Sequence, residues 1–371
     1  MNYSERYNTL NECFRVGENC KIDKSGIEIK FFNFDSCVNE DQEKISHMFT
    51  DININENFSF KYPVFMPSQT QQYDTAILWL HGFNERPWCK YLTWAEYLCS
   101  NSGKPVIMFP IAYHMNRGPI EWSNPRKMTE NLSSRKERYC GDRSISYANI
   151  ALSERLSEHP SRFYLSGRQT LLDLTRLFEE IKNGQHPLFK EGTDINIFAY
   201  SIGAFLSQVA LMANNKDLFS SSRLFMFCGG SIFSSMFGVS RSILDKASFE
   251  LLLDYYINIF GNESSSIWKR DHIFSSFRKM ITPDKYRDER VSIFDNLKER
   301  INGISLTKDI VIPYHGVKEA MGSNVTESAI KLKDFSFNYT HENPFPNNEK
   351  DITSVDLAFD NVFSSAVSFL A

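Results

Sequence analysis

Apolar and polar positions along the chain fall into two rhythms. Residues 26–34, G-I-E-I-K-F-F-N-F, and 58–66, F-S-F-K-Y-P-V-F-M, alternate with period two, the mark of strands with one better-covered face. Residues 75–80, 105–111, 195–199 and 223–228 are short, nearly unbroken apolar runs, expected of strands buried on both faces of a parallel sheet. Between them come helical spacings. Residues 1–14 and 91–100 read as helices, as does 166–183, with Leu171, Leu174, Leu177, Phe178 and Ile181 on one face. Ser166 is its N-cap candidate and Gly184 its stop. Residues 303–306 form another strand, 331–340 (K-L-K-D-F-S-F-N-Y-T) alternate as a final one, and 351–370 read as a closing helix. Strands alternating with helices predict an α/β fold with a mostly parallel sheet.

Two long stretches break this rhythm. Residues 116–160 are rich in Arg, Lys, Ser and Asn and read as a polar excursion. Its basic cluster, Arg135, Lys136, Arg138 and Arg143, is interleaved with acidic residues and reads as solvated rather than anion-binding. Residues 231–300 show no strand but hold an amphipathic helix at 249–260 and shorter helical candidates.

The most informative stretch is 194–212, D-I-N-I-F-A-Y-S-I-G-A-F-L-S-Q-V-A-L-M. A branched apolar strand runs into a helix with Ala204, Phe205, Val209, Ala210 and Met212 on its buried face. At the joint stands Ser201, with Ala199 and Gly203 two positions either side. A strand turning sharply into a helix brings their backbones together there, so the flanking side chains must be small. The turn lifts the serine hydroxyl clear of the sheet, beside the first free N–H groups of the helix. Earlier, the strand at 75–80 ends in His81-Gly82-Phe83, where a glycine lets backbone approach a bound molecule closely. Later, Asp309-Ile-Val-Ile-Pro313 follows the strand at 303–306, and His341 stands just past the alternating run at 331–340.

Together these residues resemble the α/β-hydrolase superfamily. Ala199-Tyr-Ser-Ile-Gly203 is similar to its G-x-S-x-G nucleophile elbow, with alanine in the first glycine place, and H-G-F to its oxyanion loop. The chain order Ser201, Asp309, His341 is the order of that superfamily. The resemblance implies an eight-stranded, mostly parallel sheet with a helical lid at 231–300 over the crevice at the strands' carboxyl ends. It also implies Ser201 as nucleophile, His341 as base and Asp309 as acid, with the amides of Phe83 and Ile202 as oxyanion donors and Asn84 as substitute. Asn84, Tyr200 and His114 are candidates for the substrate pocket. Arg86 reads as forming a salt bridge that fixes the loop. The expected division is 1–60 as an N-terminal extension with leading edge strands, 61–230 and 301–371 as the two parts of the core, and 231–300 as the lid.

Composition narrows the partners. The chain has 371 residues, 42% hydrophobic and 23% charged, with a net charge of −4, which argues against nucleic acid or an anionic membrane as an obligatory partner. Its 31 Phe and 16 Tyr predict a bulky aromatic core. No signal peptide is visible, and no run of roughly 18 apolar residues would span a membrane. Seven scattered cysteines without C-x-x-C spacing predict a reduced, cytoplasmic protein without disulfides or zinc. Zinc-hydrolase, phosphate-loop and dinucleotide motifs are missing, so no metal or cofactor is expected. The expected activity is hydrolysis of a carboxylic ester or related acyl bond of a small-molecule substrate through an acyl-serine. The alternative is a catalytically silent scaffold of the same fold that binds a small molecule or protein. Oligomeric state is not legible.

Overall fold

Strands apolar on both sides must be covered on both sides, and that requirement organises the molecule. A computed structural model describes residues 2–22, 25–37, 50–68, 72–263, 271–347 and 350–371. Its strands are β1 (Cys20–Ile22), β2 (Ile27–Asp35), β3 (Ser59–Pro67), β4 (Tyr73–Leu80), β5 (Val106–Met108), β6 (Phe189–Tyr200), β7 (Leu224–Phe227), β8 (Ile301–Leu306) and β9 (Ile330–Lys333). They form one sheet in the order β1-β2-β3-β5-β4-β6-β7-β8-β9. The β1–β2, β2–β3 and β3–β5 pairs are antiparallel; every later pair is parallel. The sheet therefore has nine strands where eight were expected. The additional strand is β1, a three-residue edge pairing Cys20 with Ile29, too short to show as a run in the sequence.

Side chains alternate between two cores. From β4 and β6, Leu78, Leu80, Ile195, Ile197 and Ala199 face one, covered by helices Arg162–Lys182 and Ile202–Ala213 and by helices of the 231–300 segment. Ile77, Trp79, Phe198 and Tyr200 face the other, covered by helices Tyr3–Cys13, Cys89–Ser102 and Ile352–Leu370. The aromatic residues concentrate there: Trp94 meets Phe198, Tyr200, Phe227, Phe345 and Phe363 edge-on at 5.2–6.4 Å. Among the described residues no helix is long and apolar enough to cross a membrane.

Three expectations change. The polar excursion at 116–160 holds two helices, Thr129–Arg138 and Ile150–Glu158. Arg135 is not solvated: it is fully buried, its Nε 2.5 Å from Asp245 Oδ2 and its Nη2 2.8 Å from Oδ1. An ion pair fastens this helix where hydrophobic residues would normally do so, which hides it from periodicity. The helix expected from Ser166 begins at Arg162, and the Ser166 hydroxyl donates to the Ala112 carbonyl instead of capping. The alternating run at 331–340 is strand only at its start, in β9. Phe335, Phe337 and Tyr339 lie in the following loop, buried and packed on one another at 5.1–6.2 Å.

Close packing of backbone fixes the middle of the sheet. β6 pairs with β4 through Leu80–Ala199 and with β7 through Tyr200–Phe227. A Cβ added at Gly203 would lie 2.8 Å from the carbonyl oxygens of Leu80 and His81, backbone that cannot give way. Gly203→Ala is therefore expected to lower unfolding free energy by about 1–3 kcal/mol. Urea denaturation checks this, and an unchanged midpoint would show that the helix does not sit this close to β4.

Candidate active site

The turn between β6 and helix Ile202–Ala213 puts Ser201 at φ 56°, ψ −123°, a conformation costing a non-glycine residue roughly 1–3 kcal/mol. Its N–H bonds the Phe227 carbonyl at 3.2 Å, and its carbonyl accepts the Ala204 N–H at 3.0 Å. The helix starts at the next residue, so the Ile202 amide has no intrahelical acceptor.

Ser201 Oγ lies 2.7 Å from His341 Nε2, and His341 Nδ1 lies 2.8 Å from Asp309 Oδ2. All three residues are buried, at 4–5% exposure. A carboxylate only accepts, so Nδ1 carries the imidazole proton and Nε2 offers its lone pair to the serine hydroxyl. Asp309 Oδ1 accepts the amides of Val311 at 2.9 Å and Ile312 at 2.8 Å, which fixes the carboxylate's plane. The three side chains, far apart in sequence, thus form one hydrogen-bonded chain at the carboxyl end of the sheet.

The surrounding groups hold the histidine loop against the turn. The Tyr200 hydroxyl donates to the His341 carbonyl, and its ring stacks on the imidazole at 5.4 Å. Tyr200, a pocket candidate, belongs to the core on the far face of β6 and acts from behind the histidine. Lys90 Nζ lies 2.5 Å from Glu85 Oε1, donates to the Glu342 carbonyl at 2.9 Å and sits 4.8 Å over the Tyr200 ring. Glu85 also accepts the Tyr91 hydroxyl at 2.5 Å, and the Tyr91 hydroxyl oxygen in turn accepts the Gly82 N–H at 3.4 Å. Glu85 and Lys90 thus tie the 82–85 loop to the histidine loop; only Glu85's place beside H-G-F-N hinted at this. Cys228, also missed, sits buried at φ 47°; burial first and the charge of Asp309 next push its thiol pKa well up.

Loop 81–86 follows β4. His81 is fully buried; its Nε2 accepts the Ile111 amide at 2.9 Å, which leaves Nδ1–H to bond the Gly82 carbonyl at 2.8 Å. Burial lowers its pKa to about 4. Among the described residues Arg86 forms no salt bridge: it donates to the Tyr113 carbonyl at 3.1 Å and stacks on Trp122 at 4.9 Å, and burial lowers its pKa to about 10. Asn84, at φ 57°, donates at 2.8 Å to both the Ala148 and Ser242 carbonyls, so its side-chain amide is committed to joining loops.

Phe83 borders two spaces. One is a small apolar cavity of about 40 Å³, walled by Ile202, Phe205, Phe163 and Phe277, with His114 in its lining. The other is an open cleft of about 1160 Å³ that reaches Glu342, Trp122 and residues 11–16 of the N-terminal segment. Phe163 and Phe277 were missed because helical spacing marks them equally as core. Among the described residues, no group of His, Cys, Asp and Glu forms a metal site.

The fold is thus an α/β sheet with a hydrogen-bonded Ser–His–Asp chain at the carboxyl end of its strands. The chain belongs to a family of unknown function, DUF6051, whose model matches residues 1–371. No curated protein matches the sequence. Solved structures similar to it include carboxyl esterase 2 from the fungus Tuber melanosporum, 8% identical, with 99% of this chain and 98% of that one covered and a TM-score of 0.49. A bacterial heroin esterase is 10% identical over 100% of this chain and 90% of its own, with a TM-score of 0.46. A thermostable esterase from Pseudomonas putida ECU1011 is 12% identical over 100% and 91%, with a TM-score of 0.41.

The buried histidines predict a pH dependence. His81 and His186 both have pKa values lowered by burial to about 4, from an ordinary 6.5. Between those limits the unfolded chain binds protons that the folded one refuses. Stability is therefore complete above pH 6.5 and falls as pH drops toward 4, by about 1.4 kcal/mol per pH unit for each histidine. Urea unfolding across this range and an NMR titration of His81 check the point; an imidazolium at 81 already formed near pH 6 would contradict it.

Proposed function

We propose that the protein is a serine hydrolase of the α/β-hydrolase type, cleaving a carboxylic ester or related acyl bond through an acyl-serine. The observation that carries this reading is the hydrogen-bond chain from Ser201 through His341 to Asp309, at 2.7 and 2.8 Å, on a strained strand-to-helix turn.

A serine hydroxyl is a weak nucleophile until a base removes its proton. In the proposed reaction His341 Nε2 takes the proton as Oγ attacks the acyl carbon, and Asp309 stabilises the imidazolium that results. The developing oxyanion is placed between the amides of Ile202 and Phe83, an arrangement in which one lost donor costs about 3 kcal/mol of barrier. His341 then hands its proton to the leaving oxygen, and water repeats the sequence to free the acid.

The two spaces beside Phe83 suggest how a substrate divides. The leaving oxygen must face His341, whose neighbour Glu342 borders the open cleft. The acyl group then enters the cavity next to Ile202 and Phe83. That cavity, at about 40 Å³, holds roughly three water-sized groups, so the acyl chain is short. Helix His272–Lys279, which supplies Ile273 and Phe277 to the cavity wall, is the part of the 231–300 segment proposed as the lid.

Ser201 is only 5% exposed, which is the observation that favours the silent-scaffold alternative. A fluorophosphonate probe separates the two. It is expected to modify Ser201 in the native protein and to modify nothing in Ser201→Ala; an unlabelled native protein would rule out the hydrolase. Asp309→Asn is expected to leave the protein folded and to lower kcat by about four orders of magnitude, because the imidazole loses its productive tautomer. Among 4-nitrophenyl esters, kcat/KM is expected to peak at acetate to butyrate and to fall for decanoate. A rising series would place the acyl chain in the open cleft instead.

A further inference from the structure

The small cavity carries one feature that the proposed chemistry does not use. His114 is 97% buried, being 3% exposed, and lies in the cavity lining. Its Nδ1 is 2.9 Å from the Ala112 carbonyl, an acceptor, so the ring proton sits there. Among the described residues Nε2 has no hydrogen-bond partner, which leaves it a buried, bare lone pair. Burial, and then the neighbouring His81, hold the ring's pKa well below 6.5, so Nε2 remains an acceptor at neutral pH. Among the described residues, no group lining the cavity forms a hydrogen bond with that lone pair. The cavity walls are mostly apolar, with Phe83, Ile111, Phe163, Ile202 and Phe205; of the polar residues there, Ser166 donates to Ala112, Arg168 is paired with Asp271 at 2.7 Å, and Tyr164 brings a hydroxyl.

This placement is costly to the backbone. The residues either side of His114 both take left-handed conformations, Tyr113 at φ 64° and Met115 at φ 50°. Strain of this kind persists only where the surroundings impose it. Here they do. The Ala112 amide donates to Thr170 at 3.0 Å, Tyr113 N–H to Asn57 at 3.0 Å, and Met115 N–H to the Glu85 carbonyl at 3.0 Å. Arg117, buried and ion-paired with Asp173 at 2.8 Å, closes the loop. A strained loop is thereby fixed so that a histidine with an unsatisfied acceptor lines a largely apolar cavity.

We infer that His114 Nε2 is a specificity element that accepts a hydrogen bond from a hydroxyl on the acyl group, so that the favoured substrates are esters of short hydroxy acids. The inference rests on the hydrolase reading for its chemistry, but the binding it requires is independent of turnover. A neutral imidazole with only a lone pair to offer favours a donor and disfavours a carboxylate. A site built around one such bond discriminates strongly against the analogue that lacks the donor.

The test compares 4-nitrophenyl 3-hydroxybutyrate, both enantiomers, with 4-nitrophenyl butyrate. In the native enzyme kcat/KM is expected to be at least about tenfold higher for one hydroxy ester. In His114→Leu that ratio is expected to fall to about one, with partial recovery in His114→Gln, whose amide oxygen is again an acceptor. Because the variants can fail to fold, a second measurement uses Ser201→Ala protein with native His114. Nitrogen-15 NMR is expected to show the Nε2 resonance of His114 moving on titration with 3-hydroxybutyramide but not with butyramide. Equal hydrolysis of both ester classes with an unmoved Nε2 resonance overturns the inference while sparing the hydrolase. A moved resonance in a protein that hydrolyses no ester supports the binding site and removes the hydrolase.

Discussion

The whole arrangement depends on how closely one turn can be pressed against its neighbours. Ser201 adopts a left-handed conformation that its side chain disfavours, and the packing on both sides keeps it there. Helix Ile202–Ala213 reaches β4 because Gly203 has no Cβ to meet the Leu80 and His81 carbonyls. The segment after β7 approaches because Gly229 has none to meet Ala204 at 2.4 Å or the Ser201 carbonyl at 3.0 Å. The apolar core on both faces of the sheet supplies the energy that holds this strain. What the strain yields is a hydroxyl held off the sheet, at the start of a helix, within reach of a loop that arrives much later in the chain.

Burial then sets the chemistry of everything near that hydroxyl. Asp309 stays anchored away from water because its two oxygens receive two backbone amides and one imidazole N–H. His81 and His114 are forced neutral, and each spends its one ring proton on a nearby carbonyl. Glu85 and Lys90 are kept together, Glu85 accepting the Tyr91 hydroxyl and Lys90 reaching the Glu342 carbonyl of the histidine loop. Most of these polar contacts are local and stiffen a single loop, while His341–Asp309 and Lys90–Glu342 join segments distant in sequence. They help the loops at 82–88, 309–312 and 341–342 keep a common geometry without lying in any strand.

What was legible in the sequence followed the physics that leaves a local trace. Strands buried on both faces show as unbroken apolar runs, and the Ser201 turn shows because its neighbours must be small. Positions fixed by long-range partners left no such trace. The helix Thr129–Arg138 is fastened by Arg135 and Asp245, so its polar sequence read as loop. Phe335, Phe337 and Tyr339 alternate like a strand yet pack together in a loop, because spacing cannot distinguish a ladder from an aromatic cluster. Tyr200 and Asn84 stand beside the site in sequence, but strand alternation turns Tyr200 to the far face and two carbonyls claim Asn84. His114 came into view through its position just after a strand; its unsatisfied nitrogen shows only in three dimensions.

In the proposed mechanism the turn at Ser201, the imidazole of His341 and the amides of Ile202 and Phe83 converge on one reacting centre. A crystal structure of the protein after reaction with an organophosphate tests it most directly. The expected adduct has phosphorus bonded to Ser201 Oγ and the phosphoryl oxygen within hydrogen-bond distance of both amides. A phosphoryl oxygen directed away from them, or an adduct on another residue with Ser201 untouched, would contradict it.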